Sequence, residues 1–103
     1  MQIELKLFGL SGLFVKPFGR MDLDSAVEFG TTVNDAIDDS RDVITELVID
    51  MSGVSFLSSF GLKVILELYK KMQTQGSMKL INVPYHIVDS FKMVGFDKFL
   101  VIE

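Results

Sequence analysis

Cysteine and tryptophan are absent from the sequence, histidine occurs once and proline twice. Without a thiol there is no disulfide scaffold, no thiolate metal site and no cysteine nucleophile. A single imidazole leaves no histidine cluster for a metal. Lysine and arginine number 10 against 14 carboxylates, a net charge of −4, and gather on no one face, which argues against binding a nucleic-acid backbone. Phe99-Leu100-Val101-Ile102 is among the longest apolar runs, far short of the roughly 20 residues of a membrane span. The opening Met1-Gln2-Ile3-Glu4 lacks the charged start and apolar stretch of a secretory signal, so a cytoplasmic location without membrane insertion is expected. What is abundant is apolar surface. At 103 residues, 49% hydrophobic and with nine phenylalanines, the chain is long enough for one domain, spanning residues 1–103, and far too apolar for disorder.

The hydrophobic pattern alternates between strand and helix periods. Leu5–Phe8 and Leu13–Lys16 flank Gly9-Leu10-Ser11-Gly12 and read as a β-hairpin, with Pro17, Gly19 and then Arg20-Met21-Asp22 closing its second strand. Ala26, Phe29, Val33 and Ala36 or Ile37 then recur at helical spacing from Asp24 to about Asp39, with Ser25 and Glu28 as a capping box. Leu47-Val48-Ile49 is a buried-strand run ending at Asp50, and Gly53 opens a loop. After Ser58-Ser59 comes the strongest helical stripe, in which Leu62, Ile65, Leu68, Tyr69 and Met72 share one arc and Lys63, Glu67, Lys70 and Lys71 the other. Gly76 reads as its C-terminal glycine. Met78–Asn82 predicts a strand, and Pro84 a first-turn proline. Ile87, Val88, Phe91 and Val94 predict a third helix stopped by Gly95, and the last apolar run an edge strand. The fold class is α/β: a hairpin, then alternating helices and strands, with helices covering a mixed, largely parallel sheet.

Catalytic patterns are thin. Ser59 precedes a helix, but a nucleophile elbow needs glycine two residues to either side, and Leu57 stands where one would be. His86, the one imidazole, falls on a different predicted helix and reads as a helix-start surface residue. Gly9 and Gly12 bound a turn without the lysine of a phosphate loop. Asp35, Asp38, Asp39 and Asp42 lack the ligand spacing of a calcium loop and read as a solvated acidic edge. No cofactor or metal is implied. The locus that remains is the helix start at Ser58-Ser59. A serine there serves as an N-cap, or as a phosphoacceptor whose phosphate would meet free N–H groups and a favourable dipole.

The stretch Leu47-Val48-Ile49-Asp50-Met51-Ser52-Gly53-Val54-Ser55-Phe56-Leu57-Ser58-Ser59-Phe60-Gly61-Leu62 resembles the signature of the STAS family, the domain of sulfate transporters and anti-sigma factor antagonists. Gly19-Arg20-Met21-Asp22 resembles the family's Gly-Arg-Leu-Asp motif, and Leu80-Ile81-Asn82-Val83 through Val94-Gly95-Phe96-Asp97-Lys98-Phe99 its C-terminal strand, helix and glycine turn. The resemblance implies an anti-sigma factor antagonist that binds an anti-sigma factor serine kinase, or a related STAS-binding protein, and is switched by phosphorylation. Aligned on Gly61, the family's phosphoserine falls on Ser59, with Ser58 the second choice. Ser58 stands where the family has Asp, and Phe60 where it has a small Ser or Thr.

Asp22, Phe56, Ser58, Ser59, Phe60, Lys63 and Phe96 are the expected partner contacts. Phe56, Leu57, Phe60 and Phe96 are the apolar residues the predicted core leaves unassigned, an oily patch beside Ser59. The chain itself is expected as a monomer or weak dimer. The alternative is a constitutive STAS binding module, such as a transporter-associated subunit or sensory scaffold, in which Ser59 is only a cap.

Overall fold

Ile3, Leu5 and Leu7 alternate with Glu4, Lys6 and Phe8, the period of a strand with two unlike faces. In the computed structural model, which describes residues 1–103, β1 (Gln2–Phe8) pairs antiparallel with β2 (Gly12–Met21). Gly9 turns the corner at φ 58°, a left-handed conformation that glycine takes without Cβ crowding.

β2 runs on through Pro17 and Gly19 to Met21, within the expected close of the strand, because it has two parallel partners in succession. Gly12–Val15 pair with β3 (Glu46–Asp50) and Gly19–Met21 with β4 (Val54–Leu57). Pro17 lies in the interval between them. Gly19, at φ 102°, sits where the register shifts, a bulge that re-aims the strand from one neighbour to the next. The strand β4 replaces the expected loop after Gly53.

Helix α1 (Leu23–Asp38) buries Ala26, Phe29, Gly30, Val33 and Ile37. Its cap is Asp22 rather than Ser25: the Ser25 backbone N–H donates to Asp22 Oδ1 at 3.1 Å, and Glu28, expected to close the capping box, instead pairs with the N-terminal ammonium of Met1. Helix α2 (Ser59–Gln73) buries Gly61, Ile65, Leu68 and Met72. The two helices pack where Gly30 faces Val64, whose Cγ1 would lie 3.0 Å from a Cβ at position 30. The chain then forms β5 (Ser77–Ile81), α3 (Tyr85–Met93), a single 3-10 turn at Phe96–Lys98 and β6 (Val101–Ile102). Pro84 precedes α3, and Gly95 breaks the chain out of it at φ 79°.

The sheet runs β1-β2-β3-β5-β6, parallel apart from the hairpin, with β4 beside the far end of β2. Leu13, Val15, Leu47, Ile49, Met78 and Leu80 face the helices and join Phe29, Ile65, Met72, Ile87 and Phe91 in one core. The helices cover one face. The other carries Phe14, Val48, Lys79 and Ile81, outside that core cluster. Two layers account for the 19 Å shortest dimension of the molecule.

Candidate functional site

β2 and β4 end side by side, with Met21 opposite Leu57. The Ser58 backbone N–H donates to the Met21 carbonyl at 3.0 Å, so the starts of α1 and α2 are tied together at the carboxyl edge of the sheet. Crevices at such edges are where α/β sheets bind their ligands. Asp22 and Ser58 are the respective N-caps. Ser58 Oγ accepts from the Gly61 N–H at 3.2 Å, which assigns the capping role to Ser58 and frees Ser59. Ser59 is the exposed first residue of α2. Of the helix's orphan N–H groups, those of Ser59 and Phe60 remain toward solvent.

Gly61 makes this close approach possible. A Cβ there would lie 2.5 Å from Leu57 Cδ1 and 3.1 Å from Met21 Sδ, so a side chain at this position would require the Leu57 and Met21 side chains to shift. Lys63, four residues beyond Ser59 and on the same helical face, is exposed. Phe60 is 47% exposed, matching its place on the polar side of the helix. Phe56 is 37% exposed, and the Arg20 guanidinium lies 4.3 Å from its ring centroid, a cation–π contact between direct register partners. The hydrogen bond from the Ser25 backbone, helped by the Ser25 side chain and by attraction to Arg20, holds the Asp22 carboxyl below its ordinary pKa against the opposing effect of desolvation. Two helix N-termini, Arg20 and Lys63 therefore give this acidic chain a local preference for negative charge.

Asp22, Phe56, Ser58, Ser59, Phe60 and Lys63 thus share one edge. Phe96 does not join them: its ring packs against Phe91 and Phe99, and Phe99 in turn meets Tyr69, ten residues and about 15 Å along α2 from Ser59. Leu57 is likewise withdrawn from the expected patch and belongs to the core. His86 Nε2 donates to the Ser55 carbonyl at 3.1 Å and so ties α3 to β4. The carboxylates Asp35, Asp38, Asp39 and Asp42 are exposed, with Lys71 bonded to Asp38 at 2.7 Å, and no three acidic or imidazole groups converge on a metal position.

Two residues of the edge were not singled out from sequence. Arg20 stands inside the Gly-Arg-Met-Asp motif, and only the register reveals Phe56 beneath it. Asp50 was read as the end of a strand. It is buried, its Oδ1 accepting from the Ser52 N–H at 2.9 Å and its Oδ2 from Asn82 Nδ2 at 3.1 Å. It anchors the loop that leads to β4.

Paired helix starts, an exposed serine and half-exposed aromatic rings therefore meet at one edge of the sheet. The STAS domain model matches residues 4–103, and the chain belongs to that family. A putative anti-sigma factor antagonist from Thermotoga maritima has the same fold, with TM-score 0.85 and 18% identity over 97% of this chain and 84% of that one. The Bacillus cell fate determinant SpoIIAA in its phosphorylated form superposes with TM-score 0.76 and 16% identity, covering 99% and 91%. The murine anion transporter Slc26a9 contains a similar unit, with TM-score 0.74 and 20% identity over 86% of this chain but 14% of the transporter. No helix of the chain is long and apolar enough to cross a membrane.

Proposed function

We propose that the chain is an anti-sigma factor antagonist that docks an anti-sigma factor serine kinase on the edge around Asp22, Phe56, Phe60 and Lys63 and is released by phosphorylation of Ser59. The observation that carries this reading is the division of labour between the two serines. Ser58 holds the helix cap, so Ser59 is exposed at a position where a phosphate meets free N–H groups and the positive end of α2. The serine hydroxyl would attack the γ-phosphorus of the partner's ATP, ADP would leave, and the partner's base would take the proton. The phosphate adds about −1.5 to −2 charge, which the fold tolerates at this point while the docking surface changes sign. The phosphorylated relative SpoIIAA supports the same reading.

Incubation with the cognate kinase and ATP is expected to add one phosphate, mapped by mass spectrometry to Ser59, and to weaken the complex by about tenfold or more. Ser59→Ala abolishes the modification. Ser58→Ala retains it while lowering stability by about 1 kcal/mol through loss of the cap. An active cognate kinase that leaves both serines unmodified would sink the switch.

The similarity to a transporter's unit supports a second reading, a constitutive STAS binding module, in which exposed Phe60 also docks the partner but Ser59 is only part of the helix start. There Ser59→Asp leaves partner affinity within a few-fold, while Phe60→Ala costs roughly 1–3 kcal/mol of binding. Isothermal titration of the two variants against one partner separates the readings.

A further inference from the structure

The two ends of the sheet are managed differently. β6 is a two-residue edge strand flanked by the Lys79–Glu103 ion pair at 3.7 Å. β4, off the main path, has α3 tied across it by His86. β1 has none of this protection. It is seven residues long, contains no proline or bulge, and is paired on one side only. Along it Leu5 and Leu7, on the face that elsewhere packs against helices, are 44% and 65% exposed. They line an open cleft of about 540 Å³ with Ala36 of α1 and the turn Asp39–Asp42. A long edge of this kind, with exposed leucines on its helix-side face, is a template for another strand.

We propose that β1 is a homodimer edge, pairing antiparallel with β1 of a second copy about a two-fold axis at Leu5. The charge pattern of the strand selects both the occupant and the register. Outward-facing backbone groups belong to alternate residues, so a two-fold axis must pass through a residue. Centred on Glu4, the pairing sets Glu4 against its own copy. Centred on Lys6, it sets Lys6 against its own copy. Centred on Leu5, it places Glu4 opposite Lys6 twice, Leu5 opposite Leu5, and Ile3 opposite Leu7 twice. Opposite charges and apolar residues then meet on their respective faces, each as a favourable cross-strand pair. The isologous contact closes on itself and leaves the Ser59 edge, at the carboxyl ends of β2 and β4, free in both copies.

Sedimentation velocity of the wild-type chain over a concentration series is expected to show a monomer–dimer equilibrium that weakens with salt. Glu4→Lys and Lys6→Glu each place like charges opposite each other at both symmetric pairs, and each is expected to shift the dimer midpoint about tenfold upward in concentration. Mixing the two variants restores every opposite-charge pair, so the equimolar mixture regains association at wild-type concentrations. Both changes are on exposed side chains, and circular dichroism confirms that each variant folds. A wild-type chain monomeric up to millimolar concentration, a dimer indifferent to both substitutions, or a mixture no better associated than its components would each overturn the proposal.

Discussion

Gly76→Ala is expected to cost about 3 kcal/mol or more, on the scale of the severe backbone clashes that single substitutions produce, and to lower the melting temperature by on the order of 15 °C. The reason is local. A Cβ on Gly76 would lie 1.9 Å from the Thr45 carbonyl oxygen and 2.6 Å from its carbon. These are backbone atoms, and no rotamer change removes them. The same oxygen accepts from the Ser77 N–H at 3.0 Å, at the point where β5 enters beside β3 with Ser77 opposite Glu46. Relieving the clash therefore means prying apart the two central strands at their first register pair. Gly95→Ala is the control. Gly95 has a left-handed φ of 79° but open space around its Cβ position, so alanine there meets only the intrinsic left-handed cost of about 1–2 kcal/mol. Parallel thermal melts of the two variants check the ordering, and a Gly76→Ala melt no lower than that of Gly95→Ala would contradict it.

Gly76 also marks a limit of reading structure from sequence. Glycine after a helical stripe is the signature of a left-handed helix end, and that reading is natural here. In the fold the position is not left-handed, and glycine is required by a strand two elements away. Periodicity registers local partners well. Leu47-Val48-Ile49 is legible as a central strand because both neighbours bury it, and the arc containing Ile65, Leu68 and Met72 is legible as a helix face because it repeats over about three turns. The four residues Val54–Leu57 are too few to show a period. Their strand exists because the bulge at Gly19 turns β2 toward them, a long-range event with no local trace.

The candidate site divides in the same way. Ser58, Ser59, Phe60 and Lys63 are adjacent on one helix start, and the helical period sets Phe60 between Glu67 and Lys71 on the polar side. Asp22 joins them only through the alignment of two strand ends. Leu57 and Phe96 look like surplus apolar residues until packing assigns Leu57 to the core and Phe96 to the ring stack with Phe91 and Phe99. The exposed leucines of β1 had no distinguishing sign at all, since an alternating strand reads the same whether or not a helix lies above it.

Asp50→Ala is expected to destabilise the protein by about 3 kcal/mol, because two hydrogen bonds to a buried carboxylate are lost together and each is worth about 1.5–3 kcal/mol. The side chain is 7% exposed. Its removal takes the protein partner from the Ser52 N–H at the start of the β3–β4 loop and from the Asn82 amide just after β5. Asn82 stands at φ 53°, a left-handed conformation that asparagine adopts more readily than other residues with a side chain, while its amide bonds Asp50. Burial alone would push the Asp50 carboxyl up. Hydrogen bonds from Ser52 and Asn82, with attraction to Lys16, outweigh it and hold the group below its ordinary pKa.

The sign of the pH dependence follows. The unfolded chain binds the proton more readily than the native one, so this contribution is fully present above the unfolded carboxylate value of about 3.9. It fades as pH falls through the lower native value. The stability gap between wild type and Asp50→Asn, measured by urea denaturation, is therefore expected to be constant from neutrality down to about pH 5 and to shrink below about pH 4. A gap that widened on acidification would reverse the assignment. Because the same carboxylate fixes the loop that delivers Ser58 to the Met21 carbonyl, Asp50→Ala is expected to loosen the start of α2 as well, read as faster amide exchange at Gly61 than at Leu68 in the middle of the helix.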